Sequence, residues 1–289
     1  MAFSTIQGSG AAPDSFVGTS GVDSILLQNV RKPVFLNGQE SGDLIVYANF
    51  TNLVSGYTLK GGQGNDTIGG DGAPNISLSL INGNKDDDSI LVNGVSQSSI
   101  FGGQGVDVIT ATGFVSGSII NGNVDKDIID VSGVVTASSI FGGQGLDEIN
   151  IVADLSDTVV QGDKDFDTIN VTGTFLNATI NGNDGNDLIS ITATTFTNST
   201  IFGGEGGDII VASTSNAAVY LSGDAGNDTL IGGNGADVIE GGDGIDLMTG
   251  GAGNDSFLYT SVAQTGTVAT GDGAGNDRIT DFTSGAGAT

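Results

Sequence analysis

Apolar residues recur along this 289-residue chain at a fixed distance from a repeated aspartate. Fifteen aspartates follow one another at intervals of about twenty residues and later of nine, and each has an apolar residue two positions after it. They are Asp23, Asp43, Asp66, Asp88, Asp107, Asp127, Asp147, Asp167, Asp187, Asp208, Asp228, Asp237, Asp246, Asp255 and Asp277. A fixed interval of this kind indicates a solenoid, in which each repeat forms one coil of a stack.

Within a repeat, apolar and polar residues alternate on both sides of a six-residue turn that ends in the aspartate. Alternation with a period of two predicts two short strands per repeat. The apolar residue after each aspartate predicts one buried ladder, and the residue two before the first turn glycine predicts another. The second ladder comprises Leu59, Ile81, Ile100, Ile120, Ile140, Val160, Ile180, Ile201 and Leu221.

The pattern predicts an all-β fold, a parallel β-roll or β-solenoid with about one coil per 20 residues. The coils are expected to tighten to nine-residue half-coils near the C-terminus. Four segments follow from this: an N-terminal cap (1–20), a solenoid of the longer repeats (21–222), nonapeptide repeats (223–256) and a C-terminal flank (257–289). The sequence leaves open whether the flank is complete at Thr289.

The charge of the chain narrows its possible partners. With 34 acidic and 7 basic residues, the formal net charge is −27, so nucleic acid and anionic lipid are not expected to bind. No apolar run approaches the length of a transmembrane segment, so membrane insertion is not expected. The chain contains neither Cys nor His, which excludes thiolate chemistry, zinc and haem sites and the commonest general base.

Evenly repeated carboxylates do not indicate catalysis, since a catalytic pair has no reason to recur along a whole chain. The glycine-rich turns also lack the Lys-Ser/Thr pair that follows a phosphate-binding loop. We therefore expect no enzyme activity within this chain.

The turns carry the candidate chemistry. Glycine at turn positions one, two and four permits left-handed backbone angles, which are expected to direct carbonyl groups inward. The closing aspartate adds a carboxylate, so every donor is an oxygen. Flexible sets of hard oxygen ligands suit Ca²⁺ better than Mg²⁺, which demands a stricter octahedral geometry.

Two kinds of turn alternate along the chain. Some turns replace the fourth glycine with Asp86, Asp125 or Asp165, and the same turns contain Lys85, Lys126 and Lys164. Either the extra aspartate is an added ligand, which we favour, or the lysine partly replaces calcium as the counter-charge.

A residue beside each turn alternates in the same way between an amide side chain and phenylalanine: Asn82, Phe101, Asn121, Phe141, Gln161, Asn181 and Phe202. The phenylalanines are expected either to form a stripe for lateral association or to lie beneath the variable turn.

The nonapeptides at 232–240 and 241–249, G-G-N-G-A-D-V-I-E and G-G-D-G-I-D-L-M-T, resemble the RTX (repeats-in-toxin) calcium-binding consensus. The resemblance implies several Ca²⁺ ions between successive coils, along one edge for most of the chain and along both edges only near 223–256. The implied ligands are Asp66, Asp88, Asp107, Asp127, Asp147, Asp167, Asp187, Asp208, Asp228, Asp237, Asp246 and Asp255. The loop carbonyls and extra carboxylates add Gly62, Gly64, Gly103, Gly105, Gly143, Gly145, Gly233, Gly235, Gly242, Gly244, Asp86, Asp125 and Asp165.

The resemblance also implies folding outside the cell after export by a type I secretion apparatus, and the first residues show no cleaved leader. Two functions are expected. The first is a calcium-binding structural protein of a bacterial cell surface, such as an S-layer, fibril or filament subunit that associates with itself and with the cell envelope. The alternative is the C-terminal export and folding module of a larger secreted toxin or hydrolase. The first is favoured because the repeats begin close to Met1, and a virion fibre is a minor third possibility.

Overall fold

The computed structural model describes residues 4–7, 14–28, 33–48, 54–70, 73–259 and 277–281. In these ranges the chain is all-β and contains no helix, and it forms a parallel β-solenoid with about 20 residues per turn. This confirms the predicted fold class. The chain divides into two compact units, unit 1 (Met1–Val159) and unit 2 (Val160–Thr289), each with its own stacked coils.

Unit 1 is built from short strands that occur in the same order in each coil. The strands are β1 (Ser4–Gln7), β2 (Asp14–Val17), β3 (Ser24–Gln28), β4 (Val34–Gln39), β5 (Leu44–Ala48), β6 (Val54–Ser55), β7 (Thr58–Gly62), β8 (Thr67–Ile68), β9 (Ile76–Ser77), β10 (Leu80–Lys85), β11 (Ser89–Val92), β12 (Val95–Ser96), β13 (Ser99–Gln104), β14 (Val108–Ala111), β15 (Val115–Ser116), β16 (Ile119–Val124), β17 (Ile128–Val131), β18 (Val135–Thr136), β19 (Ser139–Gln144), β20 (Glu148–Val152) and β21 (Leu155–Ser156).

These strands form two parallel sheets. The strand before each aspartate turn belongs to sheet B (β2, β4, β7, β10, β13, β16 and β19), and the strands after the turn belong to sheet A. In sheet B the register advances by one repeat per coil, so that Ile100 pairs with Ile120 and Ile120 with Ile140. Parallel strands lie about 4.8 Å apart, so identical positions of successive repeats form continuous ladders.

The core of unit 1 confirms both predicted ladders. Leu59, Ile81, Ile100, Ile120 and Ile140 are fully buried on the inner face of sheet B. The residues two after each aspartate are buried on the inner face of sheet A: Ile25, Ile45, Ile68, Ile90, Ile109, Ile129 and Ile149. Because each Ile lies directly above the next, burial of apolar surface favours one register over a slip by one residue, which would expose a whole ladder.

The prediction of two strands per repeat was wrong for coils between residues 44 and 156. There sheet A contributes two strands, such as β14 and β15, which are separated by a bend. The second strand supplies a third buried ladder: Ile76, Val95, Val115, Val135 and Leu155. The sequence contained the signal for this ladder, an aliphatic residue seven to ten positions after the aspartate, within a stretch that was treated as variable.

In unit 2, one strand of sheet B and one strand of sheet A alternate along the chain. They are β22 (Val159–Lys164), β23 (Thr168–Leu176), β24 (Thr179–Asp184), β25 (Leu188–Thr197), β26 (Thr200–Glu205), β27 (Ile209–Val211), β28 (Tyr220–Ala225), β29 (Thr229–Ile231), β30 (Val238–Glu240), β31 (Leu247–Thr249), β32 (Ser256–Leu258) and β33 (Arg278–Ile279).

Unit 2 is also parallel throughout, and its coils shorten toward its end. Asp187 and Asp208 in successive coils are 21 residues apart, whereas Asp228 and Asp246 are 18 apart, the length of two nonapeptides. Val160, Ile180, Ile201, Leu221 and Ile239 line its sheet B core.

The predicted segment boundaries stay predictions. Part of the predicted cap forms strands, since β1 pairs with β3 and β2 pairs with β4. Most of the predicted flank lies outside the described residues. Across the described ranges, no helix has the length and apolar character needed to cross a bilayer.

The register makes a direct prediction for the neighbouring residues Ile119 and Ile120, which are 41% and 0% exposed. Ile120→Ala removes buried methyl groups from a ladder that cannot collapse, and we expect a loss of about 2–5 kcal/mol in the free energy of unfolding. Ile119→Ala is the matched control and should cost less than about 1 kcal/mol. Denaturant unfolding at fixed calcium measures both, and equal losses would contradict the assigned register.

Candidate metal centre

The closing aspartates of unit 1 form a hydrogen-bonded ladder at the edge where sheet B passes into sheet A. Each aspartate backbone N–H donates to the Oδ1 atom of the aspartate in the next coil. The N–H of Asp88 lies 2.8 Å from Asp107 Oδ1, and the N–H of Asp107 lies 2.8 Å from Asp127 Oδ1. The ladder comprises Asp23, Asp43, Asp66, Asp88, Asp107, Asp127 and Asp147.

Unit 2 contains the same ladder and the start of a second one. Asp167, Asp187, Asp208, Asp228, Asp246 and Asp277 continue the pattern at the same edge of the coil. Asp237 lies at the opposite edge, where its Oδ1 accepts from the Val219 N–H, and its own N–H donates to Asp255 Oδ1. The predicted aspartates are therefore brought together as stacks, and Asp237 and Asp255 form a stack apart from the others.

The second carboxylate oxygen of most ladder aspartates is buried and has no hydrogen-bond partner. This holds for Oδ2 of Asp43, Asp66, Asp88, Asp107, Asp127, Asp187, Asp208, Asp228, Asp246 and Asp277. The side chains are at most 4% exposed, so water does not solvate these oxygens. A buried unpaired carboxylate oxygen is costly, and native structures rarely retain one without a compensating group.

The first glycine of each turn lies against this oxygen. A methyl group on Gly102 would collide with Asp107 Oδ2 and with the carbonyl oxygen of Gly122 in the next coil. Gly61 has the same relation to Asp66 Oδ2 and to the carbonyl of Gly83. Two oxygens from successive coils therefore meet beside each of these glycines.

The expectation that the first turn glycine is needed for a left-handed backbone angle was wrong. The first glycines of the turns do not have left-handed backbone angles, whereas most residues at the second and fourth positions do. At position one, glycine is required because any side chain would displace the aspartate carboxylate.

The remaining predicted positions fall into the same turns. Gly62, Gly64, Gly103, Gly105, Gly143, Gly145, Gly242 and Gly244 occupy positions two and four and have left-handed φ angles. Asp86, Asp125 and Asp165 adopt the same conformation, with φ of 68°, 76° and 74°. Gly233 and Gly235 do not, so the left-handed expectation was wrong there; a side chain at Gly233 would meet backbone oxygens of Ser215 and Ala212.

Burial raises the pKa values of these carboxylates. Desolvation is the largest cause; the backbone hydrogen bond opposes it, and the charges of neighbouring aspartates add to it. The pKa rises to about 6 for Asp208, to about 7 for Asp66, Asp107, Asp187 and Asp228, and to about 8 for Asp88 and Asp127. Each such carboxylate therefore takes up either a proton or a cation near neutral pH.

The donor set fits calcium. The buried Oδ2 atoms and the glycine carbonyls are hard oxygens in glycine-rich turns, which is the environment that Ca²⁺ prefers. Among the described residues, no three acidic side chains converge on one point, so an ion here would take several ligands from backbone carbonyls. Bound calcium would supply the positive charge that the buried oxygens lack.

A second ladder, missed from the sequence, occupies the opposite edge of unit 1. The hydroxyl oxygens of Ser98, Ser118 and Ser138 accept the backbone N–H of the preceding coil at 3.1 Å. Each hydroxyl also donates to the carbonyl two residues earlier, as Ser98 does to Ser96 at 2.8 Å. Ser79 and Thr158 also donate to the carbonyl two residues earlier. These side chains are satisfied without a cation, and the recurrence of Ser about every twenty residues was the available signal.

The raised pKa values predict an unusual pH dependence for metal-free protein. Because the folded pKa exceeds the value near 3.8 of an ordinary Asp, the folded state binds more protons than the unfolded state between these values. Stability without metal should therefore fall as the pH rises from about 4 to about 8. A shift of one pKa unit corresponds to about 1.4 kcal/mol, so shifts at several sites are significant against a typical stability of about 5–15 kcal/mol.

Far-ultraviolet circular dichroism in calcium-stripped buffer measures this dependence. We expect β-structure at about pH 5 that is lost by about pH 8 and is retained there when calcium is added. Metal-free protein that is as folded at the higher pH as at the lower would contradict the buried-carboxylate account.

Comparison with protein families agrees with this geometry. The family model of the RTX calcium-binding nonapeptide repeat matches four segments, residues 58–74, 172–190, 195–216 and 221–257. Comparisons with curated proteins and with solved structures give no significant match. Such repeats imply multiple Ca²⁺ ions, are generally structural, and occur in proteins that are typically secreted. Found within a parallel β-solenoid, they confirm the resemblance seen in the sequence: the chain contains RTX calcium-binding repeats in a β-roll.

Proposed function

We propose that this protein is a calcium-dependent structural component of a bacterial cell surface, which folds on meeting calcium outside the cell and then associates with further copies of itself. The observation that carries the proposal is the ladder of buried aspartates whose Oδ2 atoms have no partner. Calcium bound to these oxygens would stabilise the stacked coils, and the unneutralised carboxylates would destabilise them where calcium is scarce.

The overall charge supports folding after export. A chain with a formal charge of −27 opposes its own compaction at neutral pH, and the ladder places many of its carboxylates about 4.8 Å apart. A chain that stays open inside a calcium-poor cell remains suitable for passage through an export channel, and calcium outside then drives folding.

The outer face of sheet B in unit 1 supports lateral association. Its outward positions alternate in a chequered pattern: Leu80 with Asn82, Ser99 with Phe101, Ile119 with Asn121, and Ser139 with Phe141. None of these residues is acidic, whereas the outer face of sheet A carries Asp130 and Glu148. Phe101 and Phe141 are half-buried, and Ile119 is exposed. Two copies with the same negative charge can approach most closely through such an uncharged face.

The alternative is an export and folding module of a larger secreted toxin or hydrolase. The observation that favours it is that three of the four RTX matches lie together within residues 172–257. Such a module folds on calcium in the same way but has no reason to associate with itself.

The proposal predicts that calcium controls folding. In the presence of a chelator at neutral pH, the chain should be largely unfolded because its buried carboxylates are unbalanced. Addition of calcium should restore a β-type circular dichroism spectrum, and equal magnesium should restore much less of it. Identical spectra in chelator and in calcium would exclude calcium-dependent folding.

A second prediction separates the two functions. Wild-type protein in calcium should form sheets or filaments visible by electron microscopy, and Phe101→Asp with Phe141→Asp should remain monomeric in sedimentation. The matched control is Val108→Asp with Ile128→Asp, which places the same charge at half-buried apolar positions on sheet A. Wild-type protein that folds in calcium but stays monomeric would favour the export module. Equal assembly by both variants would exclude the outer face of sheet B as the surface of association.

A further inference from the structure

The gaps between successive turns of the aspartate edge are not equivalent. From residue 61 onward, the turns of unit 1 alternate between a glycine turn (61–66, 102–107, 142–147) and an aspartate turn (83–88, 122–127), in which Asp86 or Asp125 replaces the fourth glycine. The RTX consensus has glycine at this position. We call the gap between a glycine turn and the following aspartate turn an acid gap, and the next one a glycine gap.

In each acid gap, the extra aspartate points back toward the preceding turn. Asp86 Oδ2 accepts the N–H of Gly64 at 2.8 Å, and Asp125 Oδ2 accepts the N–H of Gly105 at 3.1 Å. The left-handed angles of Asp86 and Asp125 give their side chains this direction. Each acid gap therefore contains a third carboxylate in addition to those of the two closing aspartates.

The glycine gaps leave no space for such a side chain. A methyl group on Gly105 would collide with the carbonyl oxygen of Asp86, and one on Gly145 would collide with that of Asp125. The turn that follows an aspartate turn must therefore have glycine at its fourth position. This requirement prevents two aspartate turns from following one another and accounts for the alternation.

Each acid gap also contains buried oxygens that have no hydrogen-bond partner and could bind a cation. Asp107 is 0% exposed, and its unpartnered Oδ2 lies beside the carbonyl of Gly122, in the gap that contains Asp125. Asp66 Oδ2 and the carbonyl of Gly83 have the same relation in the gap of Asp86. The charge of Asp125 raises the pKa of both Asp107 and Asp127, so it lies near both members of its gap.

The glycine gaps differ from one another through turn position five. Asp87 at this position accepts the N–H of Val106 at 2.9 Å and adds a carboxylate to the gap between turns 83–88 and 102–107. In turn 122–127, which precedes turn 142–147, position five is Lys126, which has a positive charge instead. The latter gap is therefore the least negative of the four gaps between residues 61 and 147.

We propose that the two acid gaps, which contain Asp86 and Asp125, are the high-affinity calcium sites of unit 1, and that the gap beside Lys126 fills last. The inference rests on the proposed calcium-dependent folding and assigns an order of filling to its sites. Asp86 and Asp125 act as positioning residues that tune affinity by charge, since each is hydrogen-bonded to a backbone N–H and does not converge with the other carboxylates. Calcium affinity in oxygen-ligand sites depends on the number of charged ligands.

The test is a calorimetric calcium titration of the full chain, with circular dichroism followed in parallel. Asp86→Asn with Asp125→Asn should weaken the tight phase by about tenfold or more. The matched control, Asp130→Asn with Glu148→Gln, removes two charges from the outer face of sheet A and should leave that phase unchanged. Variant and control titrating alike would overturn the inference.

Two further measurements keep the result decisive. Wild-type protein that neither binds nor folds with calcium would refute the proposed function, whereas normal wild-type folding with an unaltered variant refutes only the order of filling. If the variant with Asp86→Asn and Asp125→Asn fails to fold in saturating calcium, Lys126→Gln tests the order of filling instead. Removal of this positive charge should tighten the weakest phase, and an unchanged weak phase would contradict the proposal.

Discussion

The structure depends on one half-satisfied side chain, which recurs in most of the described coils. A ladder aspartate uses Oδ1 to accept the backbone N–H of the preceding coil, and this contact sets the stacking of successive turns. Its Oδ2 is buried at the same time against the first glycine of the turn, without a partner. Leaving a buried charged group unpaired costs more than one hydrogen bond returns, so the same residue that aligns the coils also opposes their formation until a cation is present.

The opposite edge of unit 1 shows that the backbone does not need a carboxylate. Ser98, Ser118 and Ser138 accept the same kind of N–H bond and also donate their own proton to a nearby carbonyl. A serine on both edges would leave no buried carboxylate to neutralise. Under the proposed function, the aspartates on one edge make folding at neutral pH conditional on calcium, at the expense of stability in its absence.

Much of the fold could be predicted because a solenoid repeats its pattern in each coil. The period, the parallel stacking and the ladders of Ile100 and Ile109 follow from residues whose spacing is nearly constant. The third ladder, through Val95 and Val115, was missed because the bend before it varies in length and composition. The candidate aspartates were also predictable, but Asp43 and Asp277 were left out of the expected ligands although they share the register and the ladder.

The role of individual turn residues was harder to predict, since it depends on contacts between coils. The first glycine is needed for the space beside Asp107 Oδ2 and not for its own backbone angle. Asp125 adopts a left-handed angle that glycine would adopt more easily, and its use is visible only when the N–H of Gly105 in the preceding coil is located. Sequence spacing alone does not reveal which turn approaches its neighbour closely.

Crystallographic location of the ions by anomalous scattering, from protein crystallised in calcium, tests the account most directly. The account predicts anomalous density along the edge of Asp66, Asp88, Asp107 and Asp127, next to the buried Oδ2 atoms, and none along the edge of Ser98, Ser118 and Ser138. Absence of density from the aspartate edge, or equal density along both edges, would contradict it.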